Sequence, residues 1–231
     1  MKVVGVGCGL GLLTEEAVLA LGKARRVYGS RRAIEIARHA LPRSCEVHEI
    51  REFGSLDLPD DAILLSTGDP MLAGLGDRGG GVIPGISSLQ LAFARLRLPL
   101  VRAAVVDGHG RDPAQAIADT LEELRRGKIV FLLPDPSFPV ERLAEALRRE
   151  GGSCPGGPRF PPDDPGSVSR GFSPPGQEEP LCASSSPRDP GSCSIALCED
   201  LGYPGERIER GTPERPPVVR SRLFSLVIGE F

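Results

Sequence analysis

The run Lys2-Val-Val-Gly-Val-Gly-Cys-Gly-Leu-Gly-Leu-Leu-Thr14-Glu-Glu16 decides the fold at its first turn. Residues 2–6 are nearly all apolar and mostly β-branched, which suits a short strand buried on both faces. Glycines at positions 5, 7 and 9 then break the pattern with a turn. Thr14 stands where a helix running to about Lys23 would begin. Its hydroxyl can accept an orphan backbone N–H, and Glu15 and Glu16 meet the positive end of the helix dipole. Strand, glycine turn and capped helix in immediate succession open an α/β fold.

The same alternation continues outward from this run. Val27 and Tyr28 suggest a second strand, and residues 31–40 are helical in pattern, with Ile34 and Ala37 on one side. Residues 62–66 form a fully apolar third strand that ends in Thr67-Gly-Asp-Pro-Met71. Val82 and Ile83 run into Pro84-Gly-Ile-Ser-Ser88, followed by a compact apolar helix over 89–96. This alternation predicts a largely parallel sheet. Pro99 marks the expected boundary between an N-terminal α/β domain, 1–99, and a second α/β domain, 100–231. In the second, 103–106 and 129–133 read as strands and 113–126 and 140–149 as helices. Residues 151–192 hold 8 Gly, 10 Pro and 8 Ser, leaving no periodic apolar face to offset the entropy of ordering. That composition predicts a flexible or irregular insert. Strands are expected again at 194–198 and 224–228, with 218–222 a connection or an edge hairpin.

Composition excludes several function classes. Residues 1–150 carry 20 basic and 20 acidic side chains and the remainder 8 and 11, so neither part has the basic excess of a nucleic-acid binder. Aromatics are 4% and Trp is absent, which leaves few platforms for base stacking. No run of about 18 apolar residues exists to span a membrane. The apolar N-terminus reaches Glu15 and Glu16 without a small-residue cleavage site, so a cytoplasmic protein is expected. The six cysteines (Cys8, Cys45, Cys154, Cys182, Cys193 and Cys198) include no C-x-x-C pair, which argues against a zinc or redox motif. Free thiols and no metal are expected.

Taken singly, the loop motifs leave alternatives open. Gly5-x-Gly7-x-Gly9 after a strand can cradle a pyrophosphate, or can serve only as a tight turn. The acidic residue that would hold a dinucleotide ribose is missing, because the second strand ends Val27-Tyr-Gly-Ser30. A nicotinamide enzyme is therefore disfavoured. Asp69 places a carboxylate at the carboxyl edge of a parallel sheet, where open α/β folds bind ligands. It can equally cap a following helix with Pro70 at the first position. Ser87 and Ser88 at a helix start are ordinary capping residues.

Together the motifs are more specific. GVGCG followed by Leu13-Thr14, STGDP over 66–70 and IPGISS over 83–88 resemble, in order and spacing, the tetrapyrrole (corrin and porphyrin) methylases. That resemblance implies two α/β domains with S-adenosyl-L-methionine in the cleft between them, a fold distinct from the common Rossmann-type methyltransferases. Residues 29–35, residues 89–99 with His109-Gly-Arg111, and Glu199-Asp-Leu-Gly-Tyr-Pro-Gly-Glu-Arg207 resemble one branch, the cobalt-precorrin-7 C-5 methyltransferases of the CbiE kind. The resemblance covers nearly all of the chain except 151–192. Relatives usually have Pro at the position of Cys8 and a longer helix in place of the short link between Gly74 and Val82.

Carried over by position, the resemblance implies cofactor contacts at Cys8, Gly68, Asp69, Leu72, Ile86 and Ser87. In the second domain it implies Leu133, Cys198 and Ser225. The substrate it implies is a flat polycarboxylate corrin precursor, for which arginine forks are natural clamps. Arg31, Arg32 and Arg111 fall in the family-like motifs as candidates. His109, with no acidic partner adjacent, is a candidate for handling a proton or binding a propionate. A homodimer and a separate C-15 methyltransferase/decarboxylase subunit are the implied partners. Other enzymes on the same fold, such as diphthine synthase or a ribosomal RNA 2'-O-methyltransferase, and a non-catalytic module that binds S-adenosylmethionine remain as alternatives.

Overall fold

The computed structural model describes residues 1–52, 58–72, 74–78, 80–150 and 193–231. The first sheet holds β1 (Lys2–Gly5), β2 (Arg26–Gly29), β3 (Glu46–Glu49), β4 (Ile63–Ser66) and β5 (Val82–Ile83), in the order β3-β2-β4-β1-β5. All its pairings are parallel. Helices α1 (Glu15–Leu21) and α2 (Arg31–Ala37) follow β1 and β2. They pack Ala17, Leu21, Ala33 and Ile36 against Val4, Val27, Ile63 and Leu65. Each helix starts on a hydroxyl cap: Thr14 Oγ1 accepts Ala17 N–H and Ser30 Oγ accepts Ala33 N–H, both at 3.2 Å.

Sequence patterning missed β3. Every residue of Glu46-Val-His-Glu49 is exposed at the sheet edge, so there is no buried face to produce alternation. Pairing with β2 holds it, and the Tyr28 and His48 rings stack across the two strands at 4.5 Å. The apolar strand at 62–66 is therefore fourth in the chain. The helix expected over 31–40 ends at Ala37, and Arg38–Ala40 is a 3-10 turn.

Helix α3 (Ser88–Leu96) follows β5. The second sheet then assembles from β6 (Ala103–Asp107), β7 (Ile129–Leu133), β8 (Ser194–Glu199), β9 (Arg207–Gly211) and β10 (Phe224–Gly229), in the order β6-β7-β10-β8-β9. Only β6 and β7 run parallel among these pairs; the rest are antiparallel. Side chains alternate between its faces, as a pleated strand requires. Val130, Leu132, Leu197, Leu226 and Ile228 pack on α4 (Pro113–Arg125) and α5 (Val140–Arg149). On the opposite face, Ile129, Phe131, Ala196, Cys198 and Val227 pack on Leu91, Phe93 and Leu96 of α3, with Cys8 and Leu201. A helix from the first part of the chain thus shares a core with the second sheet. Phe93 and Phe131 are fully buried there, worth about 2–3 kcal/mol each.

Residues 218–222 form no strand; the edge position belongs to β9. The expected insert at 151–192, with Cys154 and Cys182, lies outside the described residues. Cys8, Cys45, Cys193 and Cys198 are free thiols. No helix among the described residues is long and apolar enough to cross a membrane.

Candidate active site

The loops leaving β1, β4 and β5 are tied together by their backbones. Gly7 and Gly68 exchange hydrogen bonds of 3.3 and 2.8 Å, and Cys8 N–H donates to Ile86 C=O at 2.9 Å. The Asp69 carboxylate accepts Met71 N–H at 2.8 Å and, across to the next loop, Gly85 N–H at 3.1 Å. Only glycine permits this approach: a Cβ on Gly5 would lie 2.5 Å from Gly85 N, and one on Gly85 would lie 2.2 Å from Gly68 O. The described residues after Pro70 hold a turn and the 3-10 turn Gly76–Arg78 rather than an α-helix. Asp69 therefore joins two loops and caps no α-helix among the described residues.

A fourth segment, residues 199–207, reaches this cluster from the second sheet. Gly202 C=O accepts Leu10 N–H at 3.1 Å. Glu206 accepts Gly202 N–H at 2.8 Å and Arg95 Nε–H at 2.6 Å. Burial alone would raise the Glu206 pKa, but the hydrogen bonds from Arg95 and Gly202 outweigh it and hold the group below the ordinary carboxylate range. The segment braces the first loop and α3 against the second sheet.

Between these loops and the facing end of the second sheet lies a cleft of about 600 Å³. Of the residues nominated by sequence, Cys8, Gly68, Asp69 and Leu72 line it from one side, and Leu133, Cys198 and Ser225 from the other. Arg32 and His109 also reach it. Ile86, Ser87, Arg31 and Arg111 do not line it. Ile86 holds Cys8 through its carbonyl. Ser87 is buried as the N-cap of α3, in a reciprocal capping box with Gln90, and its neighbour Ser88 lines the cleft instead. Successive helical residues project about 100° apart, so Arg31 departs from Arg32 into a separate hollow with Glu35, Arg38 and Glu49. Arg111 is exposed beside Asp112, the N-cap of α4.

Several lining residues had not been nominated. Asp107 was within reach of the sequence, since it closes a parallel strand. Leu201 and Phe224 come from antiparallel connections, for which the carboxyl-edge rule gives no signal. His109, expected to stand without an acidic partner, has one: the turn after β6 brings its Nδ1 to 4.0 Å from Asp107 Oδ1.

Burial pushes the Cys8 thiol up to about 11 and the Cys198 thiol up to about 12. Both stay protonated at neutral pH and serve as apolar wall rather than nucleophile. Ser225 Oγ is buried on the cleft wall and has no hydrogen-bond partner among the described residues. An orphaned hydroxyl in that position is suited to a polar group of a bound molecule.

A family model described as tetrapyrrole (corrin/porphyrin) methylases matches residues 2–156. Among solved structures, a cobalamin biosynthesis precorrin-6Y methylase from Archaeoglobus fulgidus superposes with a TM-score of 0.65 at 25% identity, over 100% of this chain and 98% of its own. A uroporphyrin-III C-methyltransferase from Thermus thermophilus, complexed with S-adenosylhomocysteine, gives 0.61 at 19% identity, over 99% of this chain and 91% of its own. A diphthine synthase gives 0.58 at 15% identity, over 100% and 90%. No curated protein sequence matches the chain significantly.

Proposed function

The chain belongs to the tetrapyrrole (corrin/porphyrin) methylase family, and from that premise we propose that it methylates C-5 of cobalt-precorrin-7 in cobalamin biosynthesis, with S-adenosylmethionine as methyl donor. The observation that carries this reading is the convergence of the GVGCG, GDP and PGISS loops on one cleft that the second sheet closes. The corrin assignment is supported by likeness to the precorrin-6Y methylase and by the branch-like 199–207 segment, which is integral to the site.

The residues present fit the methyl donor. The unpartnered Ser225 hydroxyl offers a polar contact, while Cys8, Leu72, Leu133 and Cys198 offer apolar wall. The bound donor supplies a methyl group on a sulfonium that is its own leaving group, so no protein nucleophile is needed. The chain contributes alignment, which can lower such a barrier by about 7–11 kcal/mol in favourable cases. Asp69 and the glycine contacts fix the loops, and Arg32 presents a guanidinium to a substrate carboxylate.

Purified protein incubated with methyl-labelled S-adenosylmethionine and cobalt-precorrin-7, followed by NMR of the product, tests the reading. Label at C-5 is expected. Label at C-15, release of carbon dioxide, or transfer only to a protein or RNA acceptor would overturn it.

A further inference from the structure

His109 is held on the cleft wall by its backbone while its ring stays exposed. Asp107 Oδ1 accepts His109 N–H at 3.0 Å, and Gly108 N–H donates to Leu133 C=O at 2.8 Å. Gly110, in the left-handed region at φ 64°, completes the turn and donates its N–H to Asp135 at 3.0 Å. The imidazole itself is 62% exposed, with Nδ1 toward the Asp107 carboxylate. A neutral imidazole carries one ring nitrogen able to accept a proton.

Methylation of a ring carbon creates a need for such an acceptor. The ring carbon gives an electron pair to the methyl carbon as the sulfur–methyl bond breaks, and the pair from that bond stays on sulfur. The tetrapyrrole is left with one more positive charge, which is cancelled when the methylated carbon loses its proton and the C–H electron pair returns to the conjugated ring system. The other titratable groups lining the cleft are poorer acceptors. Cys8 and Cys198 are protonated thiols, Arg32 is a cation, Asp69 is engaged with two backbone N–H groups, and Asp107 already accepts the His109 backbone N–H.

We propose that His109 accepts the proton released on methyl transfer, with Asp107 as its positioning residue. This rests on the methyltransferase reading above. The charged groups placed around this turn and cleft are Asp107, Asp135, Asp69 and Arg32.

The test uses the full-length chain and its His109→Gln and Asp107→Asn variants. It follows kcat and KM on the tetrapyrrole from pH 5 to 9, with calorimetric binding of S-adenosylhomocysteine alongside. His109→Gln should lose roughly 100-fold or more in kcat, bind S-adenosylhomocysteine as the parent does, and lose the acid limb of the rate profile. Added imidazole should restore part of the rate to His109→Ala. Asp107→Asn should lower kcat more than it changes KM, with S-adenosylhomocysteine binding parental and the acid limb retained. A His109→Gln enzyme with parental kcat and acid limb, or a loss confined to KM, would overturn the proposal. No methyl transfer by the parent protein to any tetrapyrrole would instead overturn the reading beneath it.

Discussion

Asp69 uses one carboxylate to set two loops, closing its own turn through Met71 and fixing the β5 loop through Gly85. Hydrogen bonds to a charged group contribute about 1.5–3 kcal/mol each. Asp69→Ala should weaken S-adenosylhomocysteine binding by roughly tenfold or more in calorimetry, while the circular dichroism spectrum stays parental. Unchanged affinity would mean the loops keep their places without this bridge. Cys8 and Cys198 lead to a second prediction. With pKa values pushed up to about 11 and 12, almost no thiolate exists at pH 8. Iodoacetamide should alkylate both far more slowly in the native protein than in urea, read by mass spectrometry of the peptides. Equal rates would show that the cleft wall opens freely. The sequence placed both cysteines beside the site, but their inertness depends on neighbours packed around them by the fold.

At the scale of elements, the β8–β9 hairpin is anchored by Glu199. Its carboxylate is 2% exposed and accepts Arg207 Nε–H at 2.7 Å, with the N–H groups of Arg220 at 2.5 Å and Ser221 at 2.8 Å. Burial by itself would raise its pKa, but these hydrogen bonds outweigh it and hold the group below the ordinary 4.5. A carboxyl depressed in the folded state contributes stability that is complete above the unfolded pKa and lost as pH falls through the folded value. Glu199→Gln should therefore cost about 1.5–3 kcal/mol near neutrality, because hydrogen bonds to a charged carboxylate are replaced by weaker ones, while Arg207 keeps Glu209 as a partner. It should also flatten the decline of Tm below about pH 4.5. A parental decline in the variant would assign the acid sensitivity to other groups. Helix α3 supplies a check on local strain. Its C-cap, Arg97, sits at φ 58°, a region that costs a side-chain-bearing residue about 1 kcal/mol. Arg97→Gly should raise stability in urea denaturation by roughly 0.5 kcal/mol, the looser unfolded chain taking back part of the gain.

At the scale of the molecule, the cleft depends on contact between segments far apart in the chain. The approach of residues 199–207 to the first loop is between two glycines: a Cβ on Gly202 would lie 2.8 Å from Gly9 Cα, in a backbone already at φ 80°. Gly202→Val should push residues 199–207 away from the first loop and widen the cleft. A ligand present at 100 times its Kd stabilises the native state by about 2.7 kcal/mol. For a chain of this size that shifts Tm by about 5–10 °C. S-adenosylhomocysteine should give such a shift with the parent protein and a much smaller one with Gly202→Val at the same concentration. Equal shifts would show that ligand binding does not need this contact.

The sequence by itself determined the elements whose chemistry is local. Thr14 and Ser30 cap their helices because a hydroxyl needs only the next turn as partner, and the continuous apolar runs at β1, β4 and β7 had to be buried strands. The order and spacing of the three glycine loops carried the family. What sequence left open was whatever rests on non-local contact. β3 and β9 are edge strands defined by one pairing partner each, and no periodicity marked them. The second sheet turned out mostly antiparallel because β10, from the end of the chain, inserts between β7 and β8. The division of labour between Arg31 and Arg32, and between Ser87 and Ser88, was decided by which side of a helix meets the cleft. Asp107 became the partner of His109 only once Gly108, Gly110 and Asp135 had closed the turn that joins them. Residue types and spacing say what a side chain can do; the packing of distant segments decides which side chains share a cleft.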